Sequence, residues 1–310
     1  MNGHGDAASL PGPLVVIAGP TATGKTSLSL DVAEALGGEI VNTDSMQLYR
    51  GMDIGTAKVP VDQRRGIPHH LLDIWDVRST ANVAAYQALA RSRVDELLAR
   101  GRTPVLVGGS GLYIQAVVED LEFPGTDPDL RAELEAELER IGPAALHERL
   151  ASVDADAAAV ILPSNGRRIV RALEVVSLTG SFAARLPDPK PLYRAVSVAV
   201  DRDTTELDER IERRVDLMWT DGLVDEVESL LKQGLADGVT ASRAIGYRQV
   251  IGQLAGDIDE VEAKRQTVVG TRRFVRRQRS WFRRHERYSW FDGADPDIAH
   301  KVLSMVSDDA

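Results

Sequence analysis

A glycine-rich stretch near the N-terminus, GPTATGKT at residues 19–26, constrains the fold of this chain more than any other feature. It fits the pattern G-x-x-x-x-G-K-[ST] at every fixed position. The apolar run before it, at residues 14–18, predicts a buried strand, and apolar residues at helical spacing follow it from residue 27 to 36. Strand, glycine-rich turn and helix together predict a loop whose backbone N–H groups bind a diphosphate or triphosphate, aided by the partial positive charge of the helix N-terminus.

The residues of this loop have different expected roles. Lys25 brings a full positive charge to the terminal phosphate and is a candidate catalytic residue, and the Thr26 hydroxyl is a candidate ligand of Mg²⁺. The loop alone does not reveal which phosphate compound binds or what reaction follows. The predicted diphosphate-binding residues are Gly19, Pro20, Thr21, Ala22, Thr23, Gly24, Lys25 and Thr26.

Composition excludes several classes of protein. With 310 residues, 43% of them hydrophobic, the chain can bury one large core or two modest ones. It contains no cysteine, which excludes disulfides, thiolate zinc sites and cysteine nucleophiles. Residues 1–13 lack Lys, Arg and a long apolar run, so they predict a disordered tail and not a signal peptide. No apolar run approaches about 18 residues, so we expect no membrane span and, by elimination, a cytoplasmic protein.

The net charge of −10 is unevenly distributed along the chain. Residues 119–162 contain 12 acidic and 3 basic side chains, whereas residues 264–287 contain 10 basic side chains and 1 acidic one. The basic segment has Val268, Val275 and Phe282 at seven-residue intervals, which predicts a helix packed on a core with arginines around the rest of its circumference. This asymmetry indicates a surface that binds a polyanion on an otherwise acidic protein.

The order of the predicted elements defines the fold class. Strands and helices alternate up to about residue 118 and strand character returns after residue 191, which predicts a parallel sheet. We expect an α/β fold: a P-loop NTPase-like parallel sheet flanked by helices, built from residues 13–118 and 191–310, with an all-helical insertion domain at residues 119–190. The expected strands lie at residues 14–18, 39–41, 104–107 and 195–200, and residues 49–72 are expected to be loop-rich. The expected helices lie at residues 27–36, 129–140, 143–150, 155–161, 167–178, 204–219, 223–231, 242–254 and 259–287, and a further long helix is expected to run through Ala99 with Ser79 or Thr80 as its cap.

Asp44 is the main candidate for chemistry outside the glycine-rich loop. In an open parallel sheet, ligands bind beyond the carboxyl ends of the strands, and Asp44 follows the second predicted strand. Its carboxylate could assist Mg²⁺ from the second coordination sphere, act as a general base, or only cap backbone N–H groups in a turn. His69 and His70 are the other candidates for a base, although adjacent loop histidines more often have structural roles.

Two groups of arginines follow helical spacing. One shares a face of a predicted helix, where it either forms a solvated stripe or binds phosphate. The other opens the predicted helix at residues 167–178, and clustered arginines in that position favour contact with a nucleic-acid backbone. The first group is Arg210, Arg213 and Arg214, and the second is Arg167, Arg168 and Arg171.

Seven stretches together resemble one family, the tRNA dimethylallyltransferases (tRNA isopentenyltransferases), in the bacterial form without a zinc finger. They occur in the family's order and cover nearly the whole chain between residues 14 and 292. The glycine-rich loop alone is unspecific, whereas NTDSMQLYRGMDIGTAK at residues 42–58 is specific to the family. The other stretches are PHHLLD at 68–73, VGGSGLY at 107–113, RRIVRALEV at 167–175, AIGYRQV at 244–250 and RRFVRRQRSWFRR at 272–284.

The resemblance implies a reaction and its substrates. The enzyme would transfer the dimethylallyl group from dimethylallyl diphosphate to N6 of the adenine immediately 3′ of the anticodon in a subset of tRNAs, releasing pyrophosphate. The glycine-rich loop would hold the prenyl diphosphate and not ATP, Asp44 would act on the N6 proton, and Mg²⁺ would be the cofactor. A monomer is expected.

The resemblance also implies contacts with tRNA. In the family, the hydroxyl residue of the VGG[ST] stretch and an arginine after the insertion's first Asp-Pro contact tRNA, and these are Ser110 and Arg131 here. The insertion and the basic helix would grip the anticodon stem-loop through its backbone. The expected tRNA-binding residues are Asp44, Ser45, Met46, Gln47, Ser110, Arg131, Arg167, Arg168, Arg171, Arg273, Arg276 and Arg277.

The residue types agree with this chemistry. Departure of pyrophosphate from an allylic carbon develops negative charge, which Lys25, the loop amides, Mg²⁺ on Thr26 and Arg214 can stabilise. A weakly nucleophilic amine needs a carboxylate such as Asp44 to accept its proton as the new bond forms. Three alternatives stay open: an adenylate isopentenyltransferase acting on free AMP or ADP, a P-loop small-molecule kinase, and a non-enzymatic RNA-binding P-loop protein.

Overall fold

The computed structural model describes residues 10–182 and 190–308 of the chain. The predicted disordered tail therefore lies outside the described residues, except for residues 10–13. Within the described ranges, none of the helices combines the length and apolar character that a membrane crossing requires. By their contacts the residues divide into two compact units, one formed by the chain up to Glu119 and from Pro191 onward, the other by Asp120–Lys190. We call them the core unit and the helical unit.

The core unit is built on one parallel sheet. In the described part of the chain the sheet has six strands, in the order β3-β2-β4-β1-β5-β6, and every neighbouring pair is parallel. The central strands consist of buried aliphatic residues because a parallel sheet is covered by helices on both faces. The predicted parallel sheet is confirmed. The strands are β1 (Leu14–Ala18), β2 (Glu39–Asn42), β3 (His69–His70), β4 (Pro104–Gly108), β5 (Ala195–Asp201) and β6 (Ser289–Asp292).

Helices cover both faces of this sheet. Because side chains alternate along a strand, Val15 and Ile17 of β1 pack against the first and last helices, whereas Leu14 and Val16 pack against helices from the middle and end of the chain. The helices of the core unit are α1 (Lys25–Leu36), α2 (Val83–Ala99), α3 (Gly111–Val118), α7 (Thr204–Thr220), α8 (Leu223–Lys232), α9 (Tyr247–Leu254), α10 (Glu260–Phe282) and α11 (Ile298–Asp308).

The helical unit contains α4 (Pro128–Val153), α5 (Ala155–Val160) and α6 (Gly166–Thr179). A kink at Gly142, where φ is +81°, divides α4 immediately before Pro143, which explains the two predicted helices at residues 129–140 and 143–150. Leu134, Leu146 and Leu150 of α4 pack against Ile169 and Leu173 of α6 in a small apolar core.

Several predicted boundaries are wrong. The helix predicted to have Ser79 or Thr80 as its cap begins at Val83, because the side chain of Asn82 accepts hydrogen bonds from the backbone and caps it. The helix predicted from residue 242 begins at Tyr247, after Gly246 in a positive-φ conformation. The basic helix ends at Phe282 and not at residue 287. Strands β3 and β6 and helices α3 and α11 were not predicted.

The core unit closes next to the point where the helical unit begins and ends. Glu119 and Pro191 form an antiparallel bridge, and the N–H of Leu192 donates to the carbonyl of Val118 at 2.9 Å. The chain therefore leaves the core unit and returns to it at adjacent backbone positions. This division lies next to the predicted domain boundaries at residues 118/119 and 190/191.

Candidate active site

The glycine-rich loop connects β1 to α1 through a tight turn of the main chain. Gly19 has a φ of +132°, and a Cβ at this position would collide with the carbonyl of Val200 on β5. Thr23 is buried, and its hydroxyl donates to the Pro20 carbonyl at 3.0 Å. The guanidinium of Arg202 donates to the Thr23 carbonyl at 3.0 Å. The loop is thus held against the end of β5, with Lys25 at the start of α1.

Lys25 sits in a site that disfavours its charge. Its Nζ donates to the carbonyl of Pro20 within the loop. Burial lowers the pKa of Lys25 to about 8, although the nearby Asp44 carboxylate opposes this shift, and the positive charge of Arg214 adds to it. A bound anion would supply the negative charge that the site lacks.

Two cavities of about 280 Å³ each lie at the carboxyl edge of the sheet. The first, which we call the loop pocket, is bounded by the glycine-rich loop, by Asn42 on β2, by Gly109 after β4 and by Arg210 on α7. The second, which we call the apolar pocket, is bounded largely by hydrophobic side chains. These are Met46, Ile211, Val215, Met218, Ala244, Ile245 and Phe274.

The two pockets have four residues in common: Thr21, Asp44, Thr56 and Arg214. Asp44 is half-buried and its Oδ1 accepts from the N–H of Met46 at 2.9 Å, so it caps a turn as the simplest interpretation expects. Oδ2 has no hydrogen bond to any described residue. The carboxylate therefore stabilises its own turn and still offers a free oxygen at the junction of the pockets.

The arginines of α7 separate into two environments. Arg214 lines both pockets and has neither a hydrogen bond nor a salt bridge to the described residues, and burial lowers its pKa, opposed by Asp44. Arg210 lines the loop pocket and its Nε donates to the carbonyl of Ala22 at 2.9 Å. Arg213 is exposed and pairs with Glu209 at 3.5 Å. Two cations of this group thus face the loop pocket, and the third faces solvent.

Sequence reasoning missed Gln278, a buried residue of α10 that joins two of the ligand-facing turns. Its Oε1 accepts from the N–H of Thr21 in the glycine-rich loop at 3.2 Å, and its Nε2 donates to the carbonyl of Gly109 at 3.0 Å. A Cβ at Gly109 would collide with this amide. The sequence did contain a signal for Gln278, because it is a polar residue within the apolar stripe of a basic helix.

The residues after β2 and β4 that were predicted to contact tRNA lie beside Asp44. Ser110 Oγ accepts from the N–H of Ser45 at 3.3 Å, and Ser45 and Met46 line the apolar pocket. Gln47 lines the loop pocket, and its side chain donates to the carbonyl of Thr56 at 3.1 Å. These hydrogen bonds account for their positions in the free protein, and RNA contact stays a prediction.

The two histidines have different surroundings. His69 lines the loop pocket, and its Nδ1 lies 2.8 Å from the carbonyl of Ile67. Burial lowers the pKa of His69, which favours the neutral ring. His70 pairs with the buried Glu39 at 2.6 Å, which is a structural contact at the edge of the sheet.

The basic helix α10 carries arginines of two kinds. Arg265 and Arg272 are engaged by acidic side chains, Glu262 for the first and Asp208 and Glu212 for the second. The predicted RNA-binding residues differ from them: Arg273 and Arg276 have no salt bridge within the described ranges, and Arg277 lies over the ring of Phe274 at 5.7 Å. Their charges are available to an external anion.

In the helical unit, two of the predicted tRNA-binding arginines hold a buried acid. Arg131 and Arg171 both pair with Glu174, which is fully buried and also accepts from Thr126 Oγ1 at 2.6 Å. Burial alone would raise the pKa of Glu174, but these hydrogen bonds lower it to about 2. This network gives both arginines a structural role. Arg167 and Arg168 are exposed at the start of α6.

Comparisons with known proteins place the site in a family. The sequence model of the family described as IPP transferase matches residues 47–285. The tRNA dimethylallyltransferase of Salinispora tropica is 63% identical to this chain, over 98% of this chain and 96% of that protein. The tRNA dimethylallyltransferase of Streptomyces griseus is 58% identical, over 96% and 97% of the two chains.

A solved structure extends the likeness to the fold. The crystal structure of the tRNA isopentenylpyrophosphate transferase from Bacillus halodurans is 41% identical in sequence, with a TM-score of 0.72 over 96% of each chain. The expected P-loop-like fold is therefore confirmed.

The pKa of Lys25 can be measured directly. After reductive methylation with a ¹³C label, we expect one lysine resonance to titrate near pH 8, because burial destabilises the ammonium. Addition of inorganic pyrophosphate should move this titration upward, since the anion favours the protonated form. In Lys25→Met the resonance should be missing, which assigns it. If every lysine titrates above about pH 9.5, the loop pocket does not destabilise this cation.

Proposed function

This chain belongs to the IPP transferase family of tRNA-modifying prenyltransferases, and on that premise we propose how its two pockets divide the reaction. The activity is transfer of a dimethylallyl group to tRNA. We assign the donor as dimethylallyl diphosphate and the acceptor as N6 of the adenine 3′ to the anticodon. The observation that carries this assignment is that Asp44 and Arg214 lie on the walls of both pockets.

The diphosphate fits the loop pocket. Ala22, Gly24 and Thr26 of the glycine-rich loop, the Lys25 ammonium and the guanidinium groups of Arg210 and Arg214 all border this cavity. When the bond from the allylic carbon to the bridging oxygen breaks, the negative charge develops on pyrophosphate, next to these groups. Their stabilisation of the leaving group lowers the barrier because the cations are already in place before the reaction.

The adenine fits the apolar pocket. A base stacked in an RNA loop must be turned out to react, and flat apolar walls such as Phe274 and Met46 suit its faces. Its N6 then reaches the junction, where Asp44 has a free carboxylate oxygen. As the C–N bond forms at the allylic carbon, Asp44 accepts one N6 proton and pyrophosphate leaves.

Magnesium fits the oxygen donors of the loop pocket. The Thr26 hydroxyl would hold it, with Asp44 as an outer partner, and the remaining ligands would come from the diphosphate and water. No group of three or more acidic, histidine or cysteine side chains that could hold an ion by itself occurs in the described ranges. Bound there, the ion would neutralise charge on the leaving pyrophosphate.

The tRNA backbone would be held by exposed cations. Arg273, Arg276 and Arg277 on α10 meet this requirement in the core unit, and Arg167 and Arg168 meet it in the helical unit. We expect the enzyme to act as a monomer, and this stays a prediction. Since the substrate is tRNA, we expect the enzyme to act in the cytoplasm.

A substrate test separates the alternatives. With labelled dimethylallyl diphosphate, we expect label in tRNA and none in AMP or ADP, because the arginines outside the pockets bind a backbone that free nucleotides lack. With γ-labelled ATP, we expect no phosphoryl transfer to small hydroxyl compounds. Transfer to AMP or ADP at a rate similar to that for tRNA would support an adenylate isopentenyltransferase, and phosphoryl transfer would support a kinase.

Asp44→Asn tests the general base. The amide keeps the shape of the side chain but cannot accept the N6 proton, so we expect kcat to fall by roughly 10²–10⁴-fold with little change in the dissociation constants of either substrate. Asp62→Asn, an exposed change in the same part of the chain, is the control and should have no effect. Recovery of Asp44→Asn to near wild-type rate at high Mg²⁺ would show that the carboxylate serves the metal instead.

Salt dependence tests the arginines of α10. Replacing Arg273 and Arg276 together by Gln should weaken tRNA binding and reduce the slope of log K against log salt by about 0.7–0.9 for each lost phosphate contact. Binding of dimethylallyl diphosphate should stay unchanged. Arg265→Gln is the matched control, because Glu262 already engages that guanidinium. An unchanged slope in the double variant would show that these two residues face only solvent.

A further inference from the structure

A carboxylate outside both pockets holds the turn that separates them. Glu226 lies in α8, and its Oε2 accepts hydrogen bonds from the N–H groups of Asp53 at 3.1 Å and Ile54 at 2.7 Å. Its Oε1 accepts from the N–H of Gly55 at 3.4 Å and from the hydroxyl of Tyr247 at 2.6 Å. The N–H groups of three successive residues in one turn thus donate to a single carboxylate. This carboxylate replaces the carbonyl groups that would accept such hydrogen bonds in a helix or a sheet.

The fourth donor is the hydroxyl of Tyr247, and the ring of this residue limits the space beside the turn. Tyr247 is fully buried, and burial followed by the charge of Glu226 raises its pKa, so the phenol stays protonated and donates. A Cβ at Gly55 would collide with the ring of Tyr247. Only glycine therefore lets the turn approach close enough for Glu226 to reach its N–H groups.

The turn held in this way forms part of the wall of both pockets. Thr56 lines the two of them, Gly55 lines the apolar pocket and Ala57 lines the loop pocket. At its far end the turn is fixed by Lys58, whose buried ammonium pairs with Asp73 at 2.6 Å and with Asp53. Glu226 lines neither pocket, and its contact joins positions more than 170 residues apart.

We propose that Glu226 is a positioning residue for dimethylallyl transfer, holding residues 53–57 so that Thr56, on the common wall of the two pockets, sets how the amine and the allylic carbon approach each other. The proposal rests on the assignment of the donor to the loop pocket and of adenine to the apolar pocket. Small displacements of such a wall are costly, because a misplacement of the reacting groups by about 1 Å can lower the rate by about 100-fold.

Glu226→Ala tests the proposal against Asp225→Ala, an exposed carboxylate in the same turn of α8. We expect kcat/KM for dimethylallyl diphosphate to fall by roughly 10–100-fold in Glu226→Ala, with a raised KM, and no change in the control. Amide hydrogen exchange in the peptide covering residues 53–57 should accelerate, since three N–H groups lose their acceptor. A role in stability alone would reduce the fraction of active molecules and leave KM unchanged.

Glu226→Gln and Tyr247→Phe keep the test decisive if the alanine variant does not fold. In Glu226→Gln, the amide oxygen still accepts from Asp53 and Ile54, so a smaller rise in KM is expected, and Tyr247→Phe removes one donor with a similar result. A wild-type KM in both variants, with unchanged exchange at residues 53–57, would overturn the proposal. Failure of the wild-type enzyme to modify tRNA would instead overturn the proposed function, so the two failures are distinguishable.

Discussion

The charges of Lys25, Arg214 and Asp44 at the junction of the two pockets are the interaction on which the site depends. Burial weakens the charged form of both cations, and the single carboxylate offsets this only in part. An isolated buried charge is unfavourable unless a partner compensates it. The stability of the aliphatic sheet and its surrounding helices offsets this unfavourable free energy. The diphosphate that we propose for the loop pocket would gain from cations that have already lost much of their hydration.

Two faces of helix α10 contribute to this site in different ways. Its inner face carries Val275 and Phe282 into the apolar cores and places the amide of Gln278 between the glycine-rich loop and the turn after β4. Its outer face carries the cations that we assign to RNA. One rigid element therefore supports the small-molecule site and presents a charged surface, because the 3.6-residue period separates the two sets of side chains.

The sequence predicted the parts of the fold that depend on local patterns. The strand before the glycine-rich loop, the parallel sheet and an insertion made of helices all follow from apolar spacing and turn residues. Strand β3 was missed because His69 and His70 alone carry no apolar pattern, and its partner on β2 determines it. The start of α2 was misplaced because Ser79, Thr80 and Asn82 are all plausible caps, and the fold selects the last.

The site residues also divide into those that local sequence patterns predicted and those that depend on distant partners. Asp44 and the loop were found because motifs fix their local context. Gln278 and Glu226 were missed because their partners lie far away in sequence: Thr21 for one and the turn at residues 53–55 for the other. The helical unit shows the converse case. Arg171 belongs to a basic cluster in the sequence and Arg131 matches a family stretch, but in the fold both pair with Glu174.

The bridge between Glu119 and Pro191 has an evolutionary consequence. Because the chain leaves and re-enters the core unit at neighbouring backbone positions, no strand of the sheet depends on what lies between them. A change in the length of the helical unit would therefore leave the order of the strands and the junction of the two pockets unaltered. The Glu119–Pro191 bridge, with the hydrogen bond from Leu192 to Val118 beside it, is the border at which such a change would stop.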